Sequence, residues 1–264
     1  MTPPLEIPMA GLRSTPSVWR VGETIHRKSR AQSTLPTELL VHLEQEGFAA
    51  VPRYLGVDEQ GREMLTFIHG EVPPAPQSYD DAQLAAAAGL LRRFHDATAN
   101  FPGREGFEVI CHHDFCPSNC VFQDGSPVAI IDFDTAAPGM RLHDLGWAVP
   151  TFLNLGHPDY GIAEQKRRLQ LFAAAYGLAP SEVPELVVHI TASLSHKANR
   201  AHHLGRDGLR EWAVMCRDWF LTHLFESFVP TGRAPLRTTL PFPSANTVCD
   251  SEGVDPQWTR LMGF

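Results

Sequence analysis

Apolar and polar positions alternate with a period of two in the first third of the chain and recur at helical spacing through most of the remainder. Residues 17–21 and 24–28 read as short strands joined by a hairpin turn at Gly22–Glu23. Over residues 36–45 the period changes: Leu39, Leu40 and Leu43 share one helix face, Thr34 or Thr37 offers a cap, and Gly47 closes the end. Residues 51–57 and 62–68 return to strand pattern around a turn at 58–61. The first ten residues, with Pro3, Pro4 and Pro8, read as an unpacked arm. Gly70 and the EVPPAP stretch at 71–76 interrupt everything around them and mark a lobe boundary.

Past that boundary, Ser78 is placed to cap a helix running to about residue 97. Residues 110–113, 120–122 and 128–131 are short apolar strands, the last two flanking an Asp124–Gly125 hairpin turn. From Asp144 to about residue 229 the pattern is helical, and Trp212, Met215, Cys216, Trp219 and Phe220 form a core-facing stripe. The pattern predicts an α+β chain: a small β-rich lobe over residues 1–69 and a larger, mainly helical lobe over residues 70–264.

Composition narrows the function classes. A hydrophobic content of 43% in 264 residues supports a sizeable core, and a net charge of −8 argues against a nucleic-acid partner gripped through its phosphates. The longest apolar stretch, residues 84–91, falls well short of the ~20 residues a membrane span needs. The first residues have Pro and Glu where a signal peptide carries basic and apolar residues. Five cysteines at no disulfide-framework spacing suit a reducing compartment, so the expectation is a soluble cytoplasmic protein. Oligomeric state is not set by the sequence.

The chemistry is concentrated in CHHDFCPSNCVFQDGSPVAIIDFDTAAPGMRLHDLGW, Cys111 to Trp147. His112-x-Asp114 is followed after four residues by Asn119, then by the hairpin, then by Asp132-Phe133-Asp134. In phosphoryl transfer one carboxylate orients the attacking hydroxyl and accepts its proton. An amide oxygen and a second carboxylate hold Mg²⁺ against the nucleotide phosphates, because Mg²⁺ takes oxygen ligands and keeps several waters. An Asp in a loop with Pro117 and Ser118 is also ordinary turn chemistry. The three elements in order favour the catalytic reading.

This segment resembles the aminoglycoside phosphotransferase and choline kinase-like family, strongly over residues 110–147 and weakly over the rest of 17–230. The resemblance implies a bilobal protein kinase-like fold. It also implies transfer of the γ-phosphoryl group of ATP or GTP to a hydroxyl of a small molecule: aminoglycoside-like, amino-alcohol or sugar. Carried over by position, Asp114 is the catalytic base, with His112 beside it in the catalytic group, and Asn119 and Asp132 hold Mg²⁺. Asp134, where a protein kinase has Gly, faces the metal or the substrate; His112 and Asp144 brace the loop by hydrogen bonds. Only eleven residues separate Asp132 from Asp144 and no A-P-E follows, which leaves no room for a peptide-binding activation segment.

In the small lobe the same resemblance asks for a phosphate-covering loop, a cation and a helix Glu to hold it. The loop falls at residues 11–17, with Ser14 and Thr15 but without G-x-G-x-x-G. Strand alternation puts Arg27 on one face and His26 with Lys28 on the other, so only one set can enter the cleft. The resemblance, in which some relatives carry Arg at this place, implies Arg27 as the cation, with Lys28 as the alternative. Glu38 and Glu44 compete for the pairing role. The strand end at Phe67, continuing to His69, is expected to offer backbone groups to the purine. So lean a lobe supports an alternative, a kinase-like nucleotide-binding or regulatory module without turnover. A third reading, a Cys/His metal-dependent hydrolase, rests on the crowding of Cys111, His112, His113, Cys116 and Cys120, although neither paired C-x₂-C nor H-E-x-x-H is present. For the acceptor, Asp159, Glu164, Glu182, Glu185, Asp207, Glu211 and Asp218 are the carboxylates available to a polycation. Trp147, Trp212 and Trp219 are the aromatics available to a quaternary ammonium, and their spacing favours core packing.

Overall fold

The computed structural model describes residues 5–9, 18–28, 34–73, 78–104 and 106–229. Its first layer is a five-stranded antiparallel sheet of β1 (Glu6–Pro8), β2 (Val18–Val21), β3 (Thr24–Arg27), β4 (Tyr54–Val57) and β5 (Glu63–Thr66), in the order β1-β2-β3-β5-β4. The expected unpacked arm is therefore partly an edge strand. Glu6, Ile7 and Pro8 pair with Val21, Arg20 and Trp19, and the Arg62 guanidinium fixes the Glu6 carboxylate with bonds of 2.7 and 3.2 Å. A three-residue strand ending in Pro carries too little alternation to announce itself.

The helix α1 (Leu35–Gln45) buries Leu39, Leu40 and Leu43 and packs on β4. Thr34 stands at its N-cap, but its hydroxyl donates to the Glu38 carboxylate and caps no backbone group. Between sheet and helices the chain is stitched to a second hairpin, β7 (Cys120–Gln123) and β8 (Ser126–Ile130). Glu71 and Phe122 exchange both backbone hydrogen bonds at 2.9 and 2.7 Å, and the Ile130 amide donates to the Ala50 carbonyl at 2.9 Å. Gly70 makes this seam possible: its φ is +140°, and a Cβ there would lie 2.4 Å from the Phe122 carbonyl oxygen.

The helical region begins with α2 (Asp81–Thr98). Its cap is Asp80 and not the expected Ser78, because Asp80 and Gln83 form a reciprocal capping box with two 2.8 Å bonds. Asp124 and Gly125 join β7 to β8 with φ values of +48° and +77°, the double positive φ that a two-residue type I′ turn needs. Two further strands, β6 (Val109–Cys111) and β9 (Ala137–Gly139), pair antiparallel and frame residues 112–136. The remaining helices are α3 (Arg141–Leu153), α4 (Ile162–Tyr176), α5 (Val183–His203) and α6 (Asp207–His223). In α6 the anticipated stripe packs as core, with Trp212, Cys216 and Phe220 buried and Met215 and Trp219 against them. α3 and α5 approach closely enough that a Cβ on Gly146 would stand 2.7 Å from the His189 carbonyl oxygen. Among the described residues no helix is long and apolar enough to cross a membrane.

Candidate active site

The loop after β6 is held by a carboxylate on α3. Asp144 is fully buried; its Oδ2 accepts from the His112 amide at 2.7 Å and His95 Nε2 at 2.9 Å, and its Oδ1 from the His113 amide at 2.6 Å. Burial alone would raise this carboxyl, but the His95 hydrogen bond and the surrounding imidazoles hold it well below the usual carboxylate range. The His112 ring is fully buried: Nε2 donates to the Ile131 carbonyl at 3.0 Å and Nδ1 accepts from the Asp114 amide at 3.3 Å. Both nitrogens are spent on the chain itself. This is the bracing by hydrogen bonds that the resemblance implied for His112.

Asp114 stands at the end of this scaffold. Asn119 Nδ2 donates to the Asp114 Oδ2 at 3.0 Å and to its carbonyl at 2.9 Å, which leaves the amide oxygen of Asn119 as the atom able to face a cation. The other oxygen, Oδ1, accepts from Lys197 Nζ at 2.8 Å, and that ammonium lies 4.3 Å from the Trp147 ring centroid. Sequence reasoning missed Lys197. The available signal was its place on α5 between buried Leu194 and Ala198, at the edge of the apolar face.

Across from Asp114, the turn after β8 carries Asp132 in the left-handed region, φ +65°, followed by Asp134. Arg27 on β3 reaches both: Nη1 to Asp132 Oδ1 at 3.4 Å and Nη2 to Asp134 Oδ1 at 2.7 Å, with Nε to Glu63 Oε2 at 3.0 Å. Burial opposes the Arg27 charge, but Asp134, Asp132 and Glu63 outweigh it and raise its pKa. Burial and the neighbouring Asp134 charge push the Asp132 carboxyl above its usual value, against the opposing pull of Arg27 and His112. Among the described residues, Asp114, Asp132, Asp134 and Glu63 are gathered with Arg27 and Lys197. The carboxylate oxygens and the Asn119 amide oxygen are of the kind that suits Mg²⁺.

The other expected residues are placed differently. Lys28 is exposed. Glu38 is exposed and bonded to Thr34, and Glu44 lies 3.5 Å from Arg53; neither meets Arg27, because burying Leu39, Leu40 and Leu43 turns both outward. The carboxylate at Arg27 is Glu63, its direct cross-strand partner in the β3–β5 register. At the strand end the Phe67 amide already donates to the Glu23 carbonyl at 2.9 Å, and the His69 carbonyl accepts from Gln123 Nε2 at 2.8 Å. Ser14 lies outside the described residues. Trp147 and Trp212 meet edge to face at 5.7 Å, while Trp219 packs apart from them near Gly156 and His223, so these three do not form a cage. Of the acceptor carboxylates, Glu164 pairs with Arg167, Asp218 with Arg217, and Asp207 and Glu211 with Arg210.

A loop carboxylate, oxygens suited to a divalent cation and a sheet-borne guanidinium, converging where a small sheet meets a helical region, define the class: a kinase-type phosphotransferase architecture. The sequence profile of the phosphotransferase enzyme family (APH) matches residues 98–186. The trifolitoxin immunity protein of Rhizobium leguminosarum bv. trifolii is 32% identical, over 78% of this chain and 92% of that protein. The chain belongs to the phosphotransferase enzyme family. Among solved structures, a choline/ethanolamine kinase family protein from Mesorhizobium loti superposes with a TM-score of 0.57 at 17% identity, covering 85% of this chain and 90% of that one. Choline kinase from Cryptosporidium parvum gives 0.56 at 12% identity, covering 84% and 91%. The GDP complex of aminoglycoside 2′-phosphotransferase-IIIa gives 0.54 at 12% identity, covering 83% and 93%. These likenesses show the fold, the bilobal α+β protein kinase-like fold anticipated from the sequence.

Proposed function

We propose that this protein transfers the γ-phosphoryl group of a nucleoside triphosphate, ATP or GTP, to a hydroxyl of a small molecule. Residues 1–69 would serve as the nucleotide-binding lobe and residues 70–264 as the catalytic and acceptor-binding lobe. The observation that carries this reading is the pair of bonds from Arg27 to Asp134 and Asp132, 2.7 and 3.4 Å, which brings the sheet's cation to the turn facing Asp114 and Asn119. Asp114 accepts the proton of the attacking hydroxyl. Its Oδ1 accepts from Lys197 and its Oδ2 from Asn119, which orient the carboxylate for that role. Arg27, steadied by Glu63, supplies positive charge for the phosphates. Mg²⁺, held by Asn119 and Asp132 with Asp134 beside them, would neutralise the transferred group.

Lys197 also bears on the acceptor. An ammonium already seated beside the base and over Trp147 opposes a polycation there, and favours a neutral or anionic hydroxyl compound such as a sugar. The test is nucleotide consumption with Mg²⁺ across aminoglycosides, amino-alcohols and sugars, followed by Asp114→Asn. Transfer that is abolished in the variant supports the assignment. Full transfer by Asp114→Asn removes the role given to Asp114, and a wild-type protein whose melting temperature responds to neither Mg-ATP nor Mg-GTP removes the donor.

The 32% identity to a trifolitoxin immunity protein favours a second reading, in which the acceptor is a toxin and its phosphorylation confers immunity. Expression in a toxin-sensitive strain tests it. Protection lost in Asp114→Asn indicates transfer, and protection retained indicates a kinase-like module that acts by binding.

A further inference from the structure

Immediately before the base, the chain assembles a group of soft donors that the phosphotransfer chemistry does not use. Cys111 at the end of β6, His113 in the loop and His143 in the first turn of α3 each place one donor atom within 4.8 Å of the other two. A tetrahedral zinc ion holds nitrogen and sulfur donors about 3.3–3.6 Å apart, so small side-chain rotations close the set. The backbone is shaped around these donors. A Cβ on Gly139 would stand 2.7 Å from Cys111 Sγ and 3.0 Å from His143 Nδ1, so β9 passes them only as glycine.

The second observation is His113 itself. Its φ is +60°, a conformation that glycine adopts freely and a side chain only at a cost. The loop needs only its backbone amide, which donates to Asp144. The imidazole is therefore unexplained by the loop, and its Nε2 is buried without a hydrogen-bond partner. His189, on α5 with its ring 5.5 Å from His143, has a buried Nδ1 in the same condition. Burial pushes both imidazoles down to about 4, so each keeps a lone pair at neutral pH. A rival grouping of His95, Cys111 and Asp144 is discounted, because His95 and Asp144 already spend their polar atoms on each other, Tyr176 and the loop amides.

We propose that Cys111, His113 and His143 bind a zinc ion, with His189 as the donor that completes a tetrahedral set. The step is an acid–base exchange without oxidation. The Cys111 thiol proton, now donated to the Met140 carbonyl at 3.1 Å, leaves to solvent as the sulfur–zinc bond forms. The thiolate and the adjacent Asp144 carboxylate balance the two charges of the ion. Bound there, zinc would tie β6, the catalytic loop, α3 and α5 together and hold His113 in its strained conformation.

The test uses the full chain, refolded with zinc, desalted and measured by elemental analysis, with cobalt(II) substitution as the spectroscopic probe. The proposal expects one zinc per chain, a higher melting temperature than the chelator-treated protein, and a thiolate-to-cobalt charge-transfer band. His113→Gly removes a donor and relieves the backbone, so it is expected to fold and lose the metal. Cys111→Ser is expected to lose the cobalt–thiolate band, and Cys216→Ser, which removes a buried thiol elsewhere, to keep it. A wild-type chain that stays zinc-free and shows no such band overturns the proposal. So does a Cys111→Ser or His113→Gly protein that binds zinc as the wild type does.

Discussion

Replacing Asp144 by Asn tests whether one buried carboxylate organises the loop that carries Asp114. Three donors converge on its two oxygens: the His112 amide and His95 Nε2 on Oδ2, and the His113 amide on Oδ1. An Asn side chain best keeps the oxygen that serves two donors, and must then turn its NH₂ toward the His113 amide, which approaches to 2.6 Å. One charge-assisted bond is lost at about 1.5–3 kcal/mol, a buried N–H is left unpaired at about 1–3 kcal/mol, and the two surviving bonds lose their ionic character. The expected cost is about 3–5 kcal/mol, the range found when one partner of a buried ion pair is removed. At about 2–4 °C per kcal/mol for a chain of this size, the melting temperature should fall by roughly 6–20 °C. Thermal melts by circular dichroism at pH 7 measure it. Asp96→Asn is the control, since its pairs with Arg92 and Arg141 lie at the surface and should be worth about 0–1 kcal/mol. A drop of under about 2 °C for Asp144→Asn, or equal drops for the two variants, would falsify the bracing role.

Arg27→Met should abolish stabilisation by Mg-nucleotide in a thermal-shift titration while the protein remains folded; an unchanged shift would remove Arg27 from the phosphate site. Once an acceptor is in hand, Lys197→Met should lower kcat about 10–100-fold, because the ammonium that holds the Asp114 carboxylate is lost; an unchanged kcat assigns Lys197 to packing alone. Gly70→Ala should destabilise by about 2–4 kcal/mol in urea titration, since both φ and the Phe122 carbonyl oppose a Cβ; a cost below about 0.5 kcal/mol would show that the seam yields. At the sheet corner, burial favours a neutral Asp58, but the His26 ring and the Arg62 amide and guanidinium hold its carboxyl below the usual range. Its contribution is therefore present above the unfolded value of about 3.9 and fades as pH falls through and below it. The Asp58→Asn variant should melt lower than wild type at pH 7 and converge with it in acid; a gap that stays constant with pH would rule the charge out.

What could be read in the sequence was what is local in sequence. The Asp114–Asn119 loop, the Asp124–Gly125 turn and the Asp132–Asp134 turn lie close enough together for spacing alone to suggest their association. The structure brings Asn119 to Asp114, with Arg27 reaching both Asp132 and Asp134. Strand alternation separates Arg27 from Lys28 without choosing between them, the choice of Arg27 comes from the family resemblance, and it is Arg27 that points at the turn. Glu63 was out of reach because its pairing depends on the register of β3 with β5, 36 residues apart in sequence, and a helix Glu was the nearer inference. Lys197 is 83 residues from the carboxylate it holds, and no local pattern carries that contact. The strands β1 and β9 are three residues each and contain Pro, too short for alternation to show. Asp80 displaced Ser78 as a cap because Gln83 stands three residues beyond it, the reciprocal partner that Ser78 lacks.

The seam at Gly70 also constrains how this family can diversify. The bonds between Glu71 and Phe122 are main chain to main chain, so side chains on either side can change without breaking them. Only position 70 is fixed, by the absence of an atom. In an alignment of relatives the join should therefore appear as one invariant glycine between freely drifting neighbours, and insertions should collect elsewhere. The hairpin between Asn119 and Asp132 would then travel through evolution with the small sheet as one inherited piece.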